Sequence, residues 1–181
     1  MDINFIPNTV KSELVYEGKR INVRKDWVDC GLDSLVLREV VEHPGAVVIV
    51  PICSDGSIIL VKQFRHALSE VTLECPAGTR EIGEEPLSTA KRELAEEVKK
   101  SAKKWDFIGH IYPVPGLSNE RQELYVAKDL AEAQGDLDPG EFIEICSYTL
   151  DQIKRMIISS EITDSKTIAA IFIAEQAGYC K

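Results

Sequence analysis

Neither a Cys-x-x-Cys pair nor a histidine pair at metal-ligand spacing occurs in this sequence, although it holds five cysteines: Cys30, Cys53, Cys75, Cys146 and Cys180. So odd and scattered a set excludes a disulfide framework and a zinc site, and it reads as free thiols in a reducing compartment. Long apolar runs are missing too. The longest, Ala46 to Cys53, falls far short of a bilayer, and the N-terminal MDINFIPNTV lacks the basic and apolar regions of a signal peptide. A soluble cytoplasmic protein without a membrane partner is expected. Positive charge is scarce: 21 Lys and Arg stand against 30 Asp and Glu, a net charge of −9 that repels a nucleic-acid backbone. The one dense basic cluster, Lys99, Lys100, Lys103 and Lys104, follows a predicted helix, where it is expected to complement the C-terminal dipole and stay solvated. His43, His66 and His110 are scattered and need no catalytic role, and no D-x-[DN]-x-[DN]-G run is present, which excludes an EF-hand. Repeats and low-complexity segments are absent.

What is present fits a folded chain of 181 residues, 44% hydrophobic and 28% charged, long enough for one domain of moderate size with a small appendage. Residues 1–43 read as an antiparallel sheet: Glu13 to Tyr16, a Glu17-Gly18 turn, Arg20 to Val28, then Ser34 to Glu42. His43-Pro44-Gly45 breaks the pattern, and residues 44–181 form the main domain. There Asp55-Gly56, between Val47–Ile52 and Ile58–Phe64, predicts a tight hairpin. Further strands are expected at Val71–Glu74, Trp105–Tyr112, Arg121–Ala127 and Phe142–Thr149. Helices are expected from Pro86 to about Lys100, over Leu150–Ile158, and over Ser165–Ala177 with Asp164 as N-cap. The fold class is therefore α+β, or an α/β sandwich with helices on both sides of a mixed sheet.

The most unusual stretch is GTREIGEEPLSTAKRELAEEVKK at 78–100, which crowds six glutamates into a loop and the helix after it. At about 100° per residue, Leu87, Ala90, Leu94 and Val98 form a narrow buried stripe, and Glu93, Glu96 and Glu97 cluster roughly 110° from it. A solvated face would interleave opposite charges at i and i+4, yet four residues before these glutamates stand Thr89, Arg92 and Glu93, a single cation against three carboxylates. An acidic surface and a divalent-cation site both satisfy that pattern. The Pro76-Ala77-Gly78 stretch that ends a strand, and the Gly-Glu-Glu-Pro turn that starts the helix, add a rigid loop whose backbone carbonyl could join a cation site.

Gly78, five residues, Glu84, seven residues, Arg92-Glu93-Leu94, one residue, then Glu96-Glu97: this spacing resembles the Nudix box, the signature of hydrolases that cleave a nucleoside diphosphate linked to another group. The family's later glycine and aliphatic residue are replaced at Lys99 and Lys100. Over roughly residues 39 to 175, EHPGAVVIV, VKQFRHA, LECPAG, YPVPGLSNE and EITDSKTIAAI are similar to the ADP-ribose pyrophosphatase branch. The resemblance implies a Nudix α/β/α sandwich with a mixed sheet, preceded by a small N-terminal antiparallel sheet that exchanges between subunits of a homodimer. It also implies hydrolysis of ADP-ribose to AMP and ribose 5-phosphate with Mg²⁺, Mn²⁺ being a substitute.

Carried onto this chain, Glu93 and Glu97 are the principal metal ligands, with Glu96 and the Ala77 carbonyl completing the site. Arg92 orients the carboxylates from behind, with Glu84 as its partner or an outer ligand. Glu141, after Pro139-Gly140, is the expected base, and Glu144 is the second choice. Arg65 is expected at diphosphate oxygens, where its planar fork fits. Glu120 is expected at ribose hydroxyls, Gly116 at a close backbone approach, and Trp27 or Tyr16 against the adenine. Another nucleoside diphosphate sugar, such as GDP-mannose, and a non-cleaving ADP-ribose sensor are the competing readings.

Overall fold

The structure, a computed structural model, describes residues 6–137 and 140–180. Three strands come first: β1 (Asn8–Glu17), β2 (Asn22–Asp29) and β3 (Val36–Glu42), in the antiparallel order β1-β2-β3. The central sheet is mixed, in the order β7-β4-β9-β8, from β7 (Ala77–Thr79), β4 (Ala46–Pro51), β9 (Gln122–Glu132) and β8 (Lys100–Ile111). In it β4 and β9 run parallel while the outer pairs are antiparallel. A third, antiparallel sheet joins β10 (Ile143–Tyr148), β5 (Ile58–Arg65) and β6 (Glu70–Glu74) in that order.

The central strand β4 is buried at all six positions. That is what an apolar run covered on both faces requires. Its alternation divides the core: Val47 and Ile49, with Tyr125 and Ala127, meet Ala90, Leu94 and Val98 of helix α1 (Pro86–Val98). Val48 and Val50, with Leu124 and Val126, meet Leu150 and Ile153 of α2 (Leu150–Ile158) and Ala170, Ile171 and Ala174 of α3 (Ser165–Gln176). This is the expected sandwich, with α1 on one side and α2 and α3 on the other. A Thr149–Gln152 capping box opens α2, and Asp164 accepts from the Thr167 amide to open α3. No helix among the described residues is long and apolar enough to cross a membrane.

Three expectations need correction. Asp55-Gly56 does make a turn, but β4 and β5 share only the isolated bridge Ile52↔Ile58 and then part into different sheets. A turn dipeptide sets local reversal, whereas β4 gains more by lying between β7 and β9 at the centre of the core. Helix α1 stops at Val98, not near Lys100. Lys99 takes the left-handed conformation, φ 57°, that commonly ends a helix, and its ammonium donates to the Glu96 carbonyl and to that of Gly135. Lys100, Lys103 and Lys104 consequently lie in β8 rather than at a helix end, where Lys100 pairs with Glu132 and Lys104 with Asp129. Finally, Ala77-Gly78-Thr79, expected as the end of a strand and a loop, is itself the short strand β7.

The end of β3 is tied to the 112–120 loop: Val41 donates to Leu117, Asn119 donates to Val41, and the Ser118 hydroxyl reaches the Val41 carbonyl. That loop is thereby held against the N-terminal sheet.

Candidate active site

Proline at the first helical position and Glu85 in extended conformation start α1, so the helix sets out directly from the loop after β7. Within that loop Arg80 donates twice to the Glu84 carbonyl, and the Glu84 carboxylate accepts from the Glu81 amide. Arg92 reaches back from the helix to Glu84 at 3.3 Å and also bonds Glu93 at 2.7 Å and Glu96 at 2.9 Å. One guanidinium thus organises three carboxylates and the Thr79 carbonyl. Burial by itself would lower the Arg92 pKa, but these bonds outweigh it and raise it. Glu84 is accordingly Arg92's partner and a fastener of the loop.

Glu93 and Glu97 are the buried members of the face, 9% and 3% exposed, while Glu96 is half-buried. Glu97 accepts from the Ala77 amide at 3.0 Å. The Glu93 carboxylate lies on Gly78 so closely that a Cβ there would fall 1.9 Å from it. The glycine is therefore required by the carboxylate, since any side chain would occupy its seat. Desolvation pushes the Glu93 carboxyl up to about 7, because Arg92 is shared among three acids and cannot offset it. Desolvation, followed by the charge of Glu93, pushes Glu97 to about 8. Two buried carboxyls resisting ionisation side by side form a site that a divalent cation would satisfy.

Among the described residues no three acidic, histidine or cysteine side chains converge on one point. The donor set is instead two buried carboxylates with half-buried Glu96 and backbone groups of β7 nearby. Hard cations that share their shell with waters and substrate phosphates need few protein ligands, so these residues fit Mg²⁺ or Mn²⁺. Replacing Gly78 by alanine is expected to displace Glu93 and cut turnover about a hundredfold with the fold retained. Steady-state kinetics beside thermal unfolding would check this, and near-normal turnover would show that Glu93 does not need that seat.

The other expected residues are distributed unevenly. Glu141 is half-buried and its charge helps raise both Glu93 and Glu97, so it stands by the acidic face; Pro139 before it lies outside the described residues. Glu144 is on β10, mostly exposed and paired with Lys62 at 2.8 Å, a solvated ion pair. Glu120 is half-buried and accepts from the Gln122 amide at 2.7 Å. Gly116 is exposed, with nothing within 4 Å of where a Cβ would stand, so no neighbour in the chain calls for a glycine there. Trp27 belongs to the N-terminal sheet, opposite Lys11 and Leu37, and carries the Lys11 ammonium 4.2 Å from its ring centre. Tyr16, on β1, is 57% exposed. Arg65 differs most from expectation, since its fork is already engaged with Glu74 at 2.8 and 2.6 Å.

Sequence reasoning missed the partners of that fork. Glu74 also receives the Lys166 ammonium and the Thr72 hydroxyl, and the Cys75 amide donates to Thr167 at 2.7 Å. Burial disfavours the Glu74 charge, but Arg65, Lys166 and Thr72 outweigh it and hold the carboxyl down at about 2. The available signal was a glutamate directly before Cys-Pro-Ala-Gly in a strand whose neighbours are core, which calls for a buried counter-ion.

A glycine-backed pair of buried carboxylates at the root of a helix, steadied by one arginine, defines a divalent-cation centre of the kind that serves phosphate chemistry. The NUDIX domain matches residues 42–170, and the chain belongs to the Nudix family. Members of this family generally need divalent metal ions. An ADP-ribose pyrophosphatase of Bacillus subtilis is 39% identical over 90% of this chain and 89% of its own length. A methanol dehydrogenase activator of Bacillus methanolicus is 35% identical over 92% of this chain and 91% of its own. A solved ADP compounds hydrolase superposes with a TM-score of 0.80 over 94% of this chain and 92% of that one; at 22% identity it shows the shared fold.

Proposed function

We propose that this chain hydrolyses the diphosphate of ADP-ribose, giving AMP and ribose 5-phosphate, with Mg²⁺ as its usual metal and Mn²⁺ as a substitute. The observation that carries the reading is the seating of Glu93 and Glu97, buried together against Gly78 and the Ala77 amide. The substrate follows from the pyrophosphatase relative, whose likeness extends over nearly the whole chain. A divalent ion bound there would neutralise diphosphate oxygens and ease deprotonation of water. Glu93 and Glu97 hold it, with Glu96 and the Ala77 carbonyl completing its protein ligands, and Arg92 keeps the carboxylates in place. Glu141 takes a proton from the attacking water; the water oxygen bonds one phosphorus as that phosphorus loses its bridging oxygen to the other. Arg65 meets diphosphate oxygens, Glu120 the ribose hydroxyls beside Gly116, and Trp27 the adenine.

A non-cleaving binder has no use for two carboxylates whose burial opposes their charge, which weighs against the sensor reading. Residues 1–43 act as a dimerisation element. Strand β1 is exposed along its whole length and bares Val10, Leu14, Val15 and Tyr16, a surface suited to a second copy. Sedimentation as a monomer at micromolar concentration would remove that part. All five cysteines are free thiols, in keeping with a reducing cytoplasm.

Product analysis tests the activity. Incubation with Mg²⁺ and ADP-ribose, GDP-mannose, ADP-glucose, NADH or diadenosine polyphosphates is expected to release AMP and ribose 5-phosphate from ADP-ribose fastest, and nothing in EDTA. Faster cleavage of another member would replace the substrate, and tight ADP-ribose binding without products would favour the sensor.

A further inference from the structure

Arg65, Glu74, Lys166 and Asp164 form a chain of alternating charge beside the metal face. Glu74, its side chain 3% exposed, accepts both arms of the Arg65 fork, the Lys166 ammonium and the Thr72 hydroxyl. Those four bonds use the directions a carboxylate offers. Lys166 is bound on its other side to Asp164 at 2.9 Å, and Asp164 is anchored as the N-cap of α3. Two cations and two anions leave the group neutral.

Access to the four is unequal. The Arg65 side chain is 37% exposed, against 11% for Lys166. A solute arriving from solvent meets the arginine, with the lysine behind it. Arg65 is also the member that reaches the metal face, since its charge and that of Glu97 act on each other. A buried carboxylate needs one cation, and here it has two. If Arg65 were its sole partner, moving the guanidinium would strand a buried charge, which is strongly unfavourable. With Lys166 in place, Glu74 keeps a counter-ion while Arg65 turns its fork elsewhere.

We propose that Lys166 is a positioning residue that frees Arg65 for the substrate: it keeps Glu74 paired as the arginine shifts from that carboxylate to the oxygens of a diphosphate. This rests on the reading that Arg65 meets the diphosphate. It separates the duties of the two cations, the lysine remaining inside and the arginine exchanging partners at the surface.

The test uses the full chain with Mg²⁺, in wild-type form and as Lys166→Met, Lys166→Gln and Lys166→Arg, each alone and in an Arg65→Met background. Thermal unfolding establishes which are folded. Affinity for ADP, a diphosphate probe that needs no cleavage, is measured by calorimetry beside KM and kcat for ADP-ribose. Lys166→Met is expected to weaken ADP binding and raise KM about tenfold, with kcat within about threefold. Lys166→Arg restores most of the affinity. In the Arg65→Met background, loss of the lysine adds little, because no arginine is left to release. Lys166→Gln, which still donates a hydrogen bond to Glu74, carries the same expectation if the methionine variant does not fold. Unchanged ADP affinity in the neutral variants, or an equal loss with Arg65 already removed, would overturn the proposal, as would a wild-type chain that does not bind ADP. A wild-type chain that binds ADP but cleaves a different linked diphosphate would sink the ADP-ribose reading alone.

Discussion

Glu97→Gln is expected to lower kcat about a thousandfold, the several kcal/mol of transition-state charge stabilisation that a bound metal supplies at about 1.4 kcal/mol per tenfold. The fold should survive. Glutamine keeps the shape and an oxygen for the Ala77 amide, which Glu97 now engages at 3.0 Å. It also removes a carboxyl that burial pushes up to about 8, so without metal the variant should melt no lower than wild type at neutral pH. Higher stability with lost turnover is the pattern of a site held under strain for function. Turnover within about threefold of wild type, a difference under about 1 kcal/mol, would remove Glu97 from the metal site.

In EDTA, the melting temperature is expected to fall as pH rises from 5 to 8, and Mg²⁺ should abolish most of that fall. The sign follows from the two carboxyls, whose folded-state values of about 7 and about 8 lie above the ordinary 4.5. Between those limits the folded chain retains protons that the unfolded chain has released, so stability present below pH 4.5 is lost as pH rises through 7 to 8. Glu74 works in the opposite direction. Held at about 2, it contributes stability above its unfolded value and loses it only as pH falls toward 2, so it is constant across the window. With about 2–4 °C per kcal/mol in a chain of this size, a fall on the order of 5–10 °C is expected. A melting temperature independent of metal at pH 8 would contradict the strained acidic pair.

The acidic face was legible because it is local. Leu87, Ala90, Leu94 and Val98 fix which way α1 faces, and the glutamates follow from the helical repeat. The same locality made Asp164 readable as a cap and α2 readable to the residue. What sequence could not supply depends on distant partners. Nothing near Glu74 names Lys166, which lies 92 residues away in the chain, so Arg65 read as an unattached surface cation. Lys99 is a good helix former and gives no sign of the left-handed turn that ends α1. Asp55-Gly56 marks a reversal, but whether the flanking strands then pair is decided by β7 and β9 competing for β4.

The most direct measurement is Mn²⁺ binding by electron paramagnetic resonance in wild type, Glu97→Gln and Glu141→Gln, each assayed in parallel for ADP-ribose hydrolysis. The wild-type chain should bind Mn²⁺, Glu97→Gln should bind at least about tenfold more weakly, and Glu141→Gln should bind like wild type while hydrolysing slowly. Undiminished Mn²⁺ binding by Glu97→Gln would place the metal somewhere other than the buried pair on α1 and contradict the account.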